Sequence, residues 1–347
     1  MGNRLRIGIV GGGPVAERYH VPAINAVPEV LRTVVVDSDG DRARRLADRY
    51  NFPLWSTKLS DLIHNADIAV VAVPNGWHAS TSCELLLNGI HVLCEKPMAR
   101  NVKECLQMIE CSVRGGAVLC IGHNRRFRQH ILLAERLLRM GLIGDVLSVE
   151  AEEGAPDDWP RSPAYFDPAQ SGGGALMDVG IHSIDLIRWL AGEFEYGEYE
   201  GNGGPAAVEG DARLRFRLSS GASGTIAVSR SRTLRQQLTL TGTRGYLEIG
   251  LWEPRVGIRC DKGKAFQNLD RLDVAVSRRP PLDTSFVDQL RNFVWAVVEG
   301  KSPLVDGAQG MAAVEVVCRA YNGWAEEAGR SVRSSSEEAA ARLLSRE

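Results

Sequence analysis

Lys96, Asp178 and His182 have the side chains and the settings to move a proton to or from a hydroxyl group. Lys96 stands in Cys94-Glu95-Lys96-Pro97, directly after an apolar run that reads as a strand. A lysine at such a strand end can donate a hydrogen bond to a hydroxyl and stabilise a developing alkoxide. It can equally be a surface lysine or a partner for Glu95. Asp178 and His182 are four residues apart in a segment that reads as a helix from Asp178 onward, so they share one face. A carboxylate beside an imidazole holds its orientation and supports its charged form, which suits a general base. The same spacing also suits a capped helix start with His182 packed in the core. Asp185 falls near that face.

A second constellation lies at the beginning of the chain. Gly11-Gly12-Gly13-Pro14-Val15-Ala16 follows a strand-like run and opens a helix-like one, the context in which G-x-G-x-x-A binds a dinucleotide. Gly11 permits the tight turn, Gly13 admits a pyrophosphate to the backbone, and Ala16 lets helix and strand pack closely. The helix start adds N–H donors and a positive dipole end. The next strand ends at Asp37-Ser38, where a carboxylate binds the ribose hydroxyls of the adenosine half. That carboxylate repels the additional phosphate of NADP, so the expected cofactor is NAD. A turn or cap role for Asp37 is the plainer alternative, but it does not account for the register of both features.

The elements that must carry these residues alternate. Strand patterns over 5–10, 31–36, 67–73, 90–94 and 118–121 are separated by helix patterns over 15–25, 41–50, 81–88 and 101–114. Pro22 should distort the first helix, Asn101 should start the last and Gly115 should end it. Such alternation predicts βαβ units and a parallel sheet. Beyond residue 123 the pattern changes. After a helix over 130–140 and a strand over 146–152, residues 211–218 alternate Ala212, Leu214, Phe216 and Leu218 with Arg213, Arg215 and Arg217. Turn residues link that strand to 225–229, and 236–241 to 246–249. Helices over 286–299 and 309–328 close the chain. The expected fold is therefore α/β. A Rossmann dinucleotide-binding domain spans 1–123, and an α+β domain with a largely antiparallel open sheet spans 124–347, with helices on one side.

Composition narrows the partners. The 347 residues carry 41 Lys and Arg against 43 Asp and Glu, a balance with no electrostatic footprint for nucleic acid or an anionic membrane. No apolar run approaches the ~20 residues needed to span a bilayer. The first residues lead straight into a strand without a secretory segment. The seven cysteines include no C-x-x-C pair and read as reduced core thiols of a cytoplasmic protein, with no metal site expected.

The chain resembles the glucose–fructose oxidoreductase / inositol dehydrogenase (Gfo/Idh/MocA) family along nearly its whole length. The likeness rests on Ile7-Gly8-Ile9-Val10-Gly11-Gly12-Gly13, Ala72-Val73-Pro74 followed by His78, and Glu95-Lys96-Pro97. It extends through Gly122-His123-Asn124-Arg125-Arg126-Phe127, Gly172-Gly173-Gly174 through His182, and the tail from Phe293 to Val305. The resemblance implies a catalytic trio of Lys96, Asp178 and His182 acting on a secondary alcohol of a sugar, cyclitol or nucleotide sugar. It also implies a cis peptide before Pro97 and a Pro74–His78 turn along the nicotinamide. Pro74, Asn75, His78, Glu95 and Lys96 then join the glycine turn as cofactor contacts. Homodimers or homotetramers built through the open sheet are a further implication. Asn124, Arg125, Trp159, Arg161 and Tyr165 are candidate substrate contacts, each equally suited to a packing role. His123-Asn124 and Asn75-Gly76-Trp77 depart from the commonest family pattern. Two other activities fit the same motifs. One is an NAD(H)-sensing regulator without catalysis. The other is a hydrolase or epimerase that returns its hydride within one cycle.

Overall fold

The computed structural model describes residues 4–156, 163–203, 207–260, 274–275 and 284–324. Trp159 and Arg161 lie outside the described residues, and the helix expected over 309–328 ends at Asn322, capped by Gly323 with φ of +77°. Six strands, β1 (Leu5–Val10), β2 (Val30–Val36), β3 (Leu54–Ser56), β4 (Ile68–Val71), β5 (His91–Glu95) and β6 (Leu119–Gly122), form one parallel sheet in the order β3-β2-β1-β4-β5-β6. This is the doubly wound order in which ligands bind outside the carboxyl ends of the strands.

Successive side chains of a strand point to opposite faces, and both faces of this sheet are covered. Ile7, Ile9, Val35, Val70 and Leu93 pack with Ala43, Leu46 and Ala47 of the helix Gly40–Tyr50. Val10, Val34, Val36, Ala69, Val71 and Val92 enter a second core that runs on into the rest of the chain. The helix Val102–Gly115 starts at Asn101, whose side chain accepts from the Glu104 N–H. It ends at Gly116, one residue beyond the expected Gly115, because Gly116 takes the left-handed φ of 61° that closes the turn.

The helix expected over 15–25 is two pieces: a π turn over Ala16–His20, then an α-helix over Val21–Ala26. Pro22 has no N–H to give the carbonyl one turn back, so the helix widens ahead of it.

Among the described residues the second sheet has eight strands. These are β7 (Val146–Gly154), β8 (Phe194–Gly201), β9 (Asp211–Leu218), β10 (Ser223–Ser229), β11 (Gln237–Gly242), β12 (Gly245–Gly250), β13 (Arg255–Cys260) and β14 (Val274–Ala275). Their order is β14-β13-β12-β11-β7-β10-β9-β8, antiparallel except for the parallel pair β7–β10. Ala212, Leu214, Phe216 and Leu218 are buried, while Arg213, Arg215 and Arg217 stand on the open face. There Arg215 pairs with Glu200 at 2.7 Å and Arg217 with Glu195 at 3.1 Å.

The chain then returns to the first sheet. Phe286, Leu290 and Phe293 of the helix Thr284–Glu299 join the core that covers one face of the first sheet, beside the helix Val21–Ala26. The Ile121 N–H donates to the Val305 carbonyl at 2.9 Å, just before the helix Gly307–Asn322. No helix of the described residues is long and apolar enough to cross a membrane.

Candidate active site

The glycine turn divides its labour as its sequence implies. Gly11 has φ of +96°, and a Cβ there would lie 2.4 Å from the Ala72 carbonyl oxygen. Only glycine lets β1 leave the sheet so close to β4. A Cβ on Gly13 would instead meet nothing within 4 Å. Backbone is thus bared to open space before the first helical turn, as a pyrophosphate cradle requires. Pro14 is exposed, Val15 half-buried and Ala16 buried against the strand.

Asp37 is buried at the end of β2. Its Oδ2 accepts from the Gly12 N–H at 2.7 Å and its Oδ1 from the Asp39 N–H at 2.9 Å. Each carboxylate oxygen keeps capacity for a further donor, and Ser38 beside it is exposed. These residues fit the turn and ribose partner of a bound dinucleotide.

The neighbouring turn is braced from within. Both ring nitrogens of buried His78 face backbone carbonyls, Nδ1 to Pro97 and Nε2 to Val73, each at 2.8 Å. Burial, against those two bonds, holds this imidazole below its usual range. Asn75, just after Pro74, donates to the Ser171 carbonyl at 3.0 Å and so joins the turn to the second half of the chain. His78 is therefore a support of the turn, although its motif groups it with the cofactor contacts. Glu95 is held likewise: its Oε1 lies 2.7 Å from His20 Nε2 and its Oε2 accepts the Lys96 N–H at 3.1 Å. Burial pushes the Glu95 carboxyl up, and the His20 bond and charge, with Lys96, bring it below its usual range.

Lys96 follows directly, joined to Pro97 by a cis peptide, as the resemblance implies. Its Nζ donates to the Asp178 carbonyl at 2.9 Å and to Asp178 Oδ1 at 3.0 Å. Asp178 thus faces Lys96 across 82 residues of sequence. The Asp178 segment is not the plain α-helix expected to begin there. Helical structure starts at Leu176 with a π turn through Gly180, and the α-helix Ile181–Ala191 follows. The Asp178 carboxylate also accepts from the Tyr165 hydroxyl and lies 3.6 Å from Arg230 Nη2. The Arg230 guanidinium sits 4.4 Å from the centre of the Tyr165 ring.

His182 is half-buried, and its Nδ1 is enclosed without a hydrogen-bond partner. Asp178 is therefore not the group that orients it. Burial first, then the charges of Arg125 and Lys96, hold the His182 imidazole well below its usual range. The ring is neutral near pH 7, the state a general base needs.

Of the candidate substrate contacts, the fold brings Tyr165 to the trio. Asn124 is buried and donates to Ser285 Oγ at 3.0 Å. Arg125 is clamped through two nitrogens by Glu153 in the interior. Both are engaged internally. Arg230 carries no signal of its own in Ser229-Arg230-Ser231. It reaches the site only because β10 lies beside β7 in the middle of the sheet. Among the described residues no cluster of His, Cys, Asp and Glu is arranged to hold a metal ion.

Residues 5–123 match the family model of the Gfo/Idh/MocA oxidoreductases with an NAD-binding Rossmann fold, and residues 131–248 match that family's C-terminal domain. The chain belongs to the Gfo/Idh/MocA oxidoreductase family. Among its relatives, levoglucosan dehydrogenase from Pseudarthrobacter phenanthrenivorans is 28% identical over 267 residues, covering 65% of this chain and 68% of that one. Inositol 2-dehydrogenase from Rhizobium meliloti is 23% identical over 347 residues, covering 93% and 98%. Among solved structures, this Gfo/Idh/MocA chain superposes on GenD2 from gentamicin A biosynthesis, in complex with NAD, with a TM-score of 0.80 and 26% identity. That match covers 94% of this chain and 95% of the other.

Proposed function

We propose that this family member is an NAD(H)-dependent oxidoreductase that interconverts a secondary alcohol and a ketone on a sugar, cyclitol or nucleotide sugar. The observation that carries it is the pairing of Lys96 with Asp178, one helical turn before a neutral His182. The names of its relatives, levoglucosan and inositol dehydrogenases, favour the same substrate class. The turn from Gly11 to Ala16 would hold the pyrophosphate and Asp37 the adenosine ribose. Bound NAD supplies the hydride acceptor, and NADH the donor for the reverse reaction.

The chain's own residues do the rest. His182 receives the hydroxyl proton on a ring nitrogen. Lys96 directs its ammonium at the same substrate oxygen and stabilises the negative charge that grows there. Asp178 holds Lys96 in place and, with Tyr165, is positioned to bind a neighbouring hydroxyl. The first test is to incubate the protein with NAD⁺ and a panel of inositols, sugars and aminocyclitols. NADH absorbance should rise with members of the panel. Tight NADH binding with no turnover and no released product would favour a sensor.

Asp37 gives the cofactor preference. NAD(H) should bind and turn over better than NADP(H), and Asp37→Ser should narrow that gap in paired kinetic assays. Equal use of NADP(H) by the unmodified protein would refute the assignment.

The open sheet face favours assembly, since Arg215 and Arg217 are already partnered by Glu200 and Glu195 and can meet a second copy without stranded charge. Light scattering should return a dimer or tetramer, and a monomer at micromolar concentration would count against it. All seven cysteines are free, which suits the reducing cytoplasm.

A further inference from the structure

We infer that His123 positions His182 through one bridging water, fixing the imidazole tautomer that leaves Nε2 free to receive the substrate proton. This rests on His182 being the general base. His123 follows β6 and is 0% exposed, yet neither of its ring nitrogens has a hydrogen-bond partner. A buried polar group left unmet is costly, so two on one ring require a partner of another kind. The enclosed Nδ1 of His182 is unmet as well. The two rings are perpendicular with centroids 6.4 Å apart. That is too far for a direct bond between ring nitrogens and within the span of a single water.

Proton placement follows from the neighbours. Asp185 Oδ2 lies 3.8 Å from His123 Nδ1. Its carboxylate is fixed by Arg126, with Nε–Oδ2 at 2.9 Å and Nη2–Oδ1 at 2.6 Å. A neutral imidazole has one donor and one acceptor. The carboxylate draws the His123 proton to Nδ1, which leaves Nε2 as acceptor. Nδ1 of His182 is the enclosed nitrogen, so Nε2 is the one left for substrate, and as a base it is unprotonated. The His182 proton then sits on Nδ1, and the water that donates to His123 Nε2 accepts it. The Nε2 lone pair of His182 then faces substrate. When Nε2 takes the proton, the imidazolium's other N–H points along a chain that ends on Asp185.

His123 is suited to this because it stays neutral. Burial, with Arg126 and Lys96 working against Asp185 and Glu95, puts it at about 4. The groups whose charges bear on His182 are Arg125, Lys96, His123 itself and Arg128.

The decisive readout is ¹⁵N NMR of the histidine rings near neutral pH, with and without NADH. Wild-type His182 should carry its proton on Nδ1. In His123→Phe the ring should shift towards the Nε2–H form, while His123→Gln, which keeps a donor and an acceptor, should retain the Nδ1–H form. Turnover of His123→Phe should fall about 10- to 100-fold, as when an imidazole loses its outer partner, with NADH affinity unchanged and partial recovery in His123→Gln. Wild-type His182 protonated on Nε2, or a tautomer unmoved in His123→Phe, would overturn the inference. The wild-type spectrum decides even if the Phe variant does not fold. Full activity of His182→Ala would instead remove the general-base assignment, whatever the tautomer.

Discussion

His182→Ala and Lys96→Ala should each lose about 10²–10⁴-fold in turnover while NADH affinity changes far less, because general-base and alkoxide-stabilising groups contribute on that scale. Neither replacement touches Gly13 or Asp37, so cofactor binding and catalysis separate. Melting temperature, NADH binding and turnover should be measured on the same preparations. If His182 were only a packed core residue, its loss would lower stability and leave the specific activity of the folded fraction nearly intact. The pH dependence has a definite sign. Burial and the Arg125 and Lys96 charges depress the His182 value in the folded chain below 6.5. The base is therefore available at neutral pH and is lost only as pH falls through that depressed value. Stability follows the same direction. The unfolded chain binds the proton at higher pH than the folded one, so this residue's contribution is present above about 6.5 and fades in acid.

Asp185→Ala should be among the most destabilising single changes, at about 3–5 kcal/mol, because it strands a buried guanidinium. Arg126 is 2% exposed and bonds Asp185 through two nitrogens, with Gln309 Oε1 at 3.1 Å as its other partner. The group ties the turn after β6 to the helices Ile181–Ala191 and Gly307–Asn322. A chemical denaturation curve should show a lower midpoint. Asp185→Asn, which keeps an acceptor oxygen, should lose less. An unchanged midpoint in Asp185→Ala would mean that Arg126 finds another anion or water.

Much of this was legible in the residues because it is local. The glycine turn, the buried strands and the alternation in β9 are short-range patterns, and each falls at the expected place. β3, the helix Leu59–Asn65 and β8 escaped notice. β3 is three residues long, the helix Leu59–Asn65 has a single buried side chain, and β8, Phe-Glu-Tyr-Gly-Glu-Tyr-Glu-Gly, is acidic and glycine-interrupted. The catalytic partners were only half legible. Asp178 and His182 look like a pair because they are four residues apart, yet the π turn and the approach of Lys96 give Asp178 a different partner. His20, Glu153 and Arg230 enter through strand order and long-range packing, which no short spacing encodes.

The central claim is that a substrate carbinol gives its hydride to NAD⁺ while His182 removes the hydroxyl proton. The most direct measurement uses an active polyol carrying deuterium on the reacting carbon, followed by mass spectrometry of the nicotinamide product. A single deuterium in the NADH is the predicted result. NADH free of deuterium, or cofactor left oxidised across the whole panel, would contradict it.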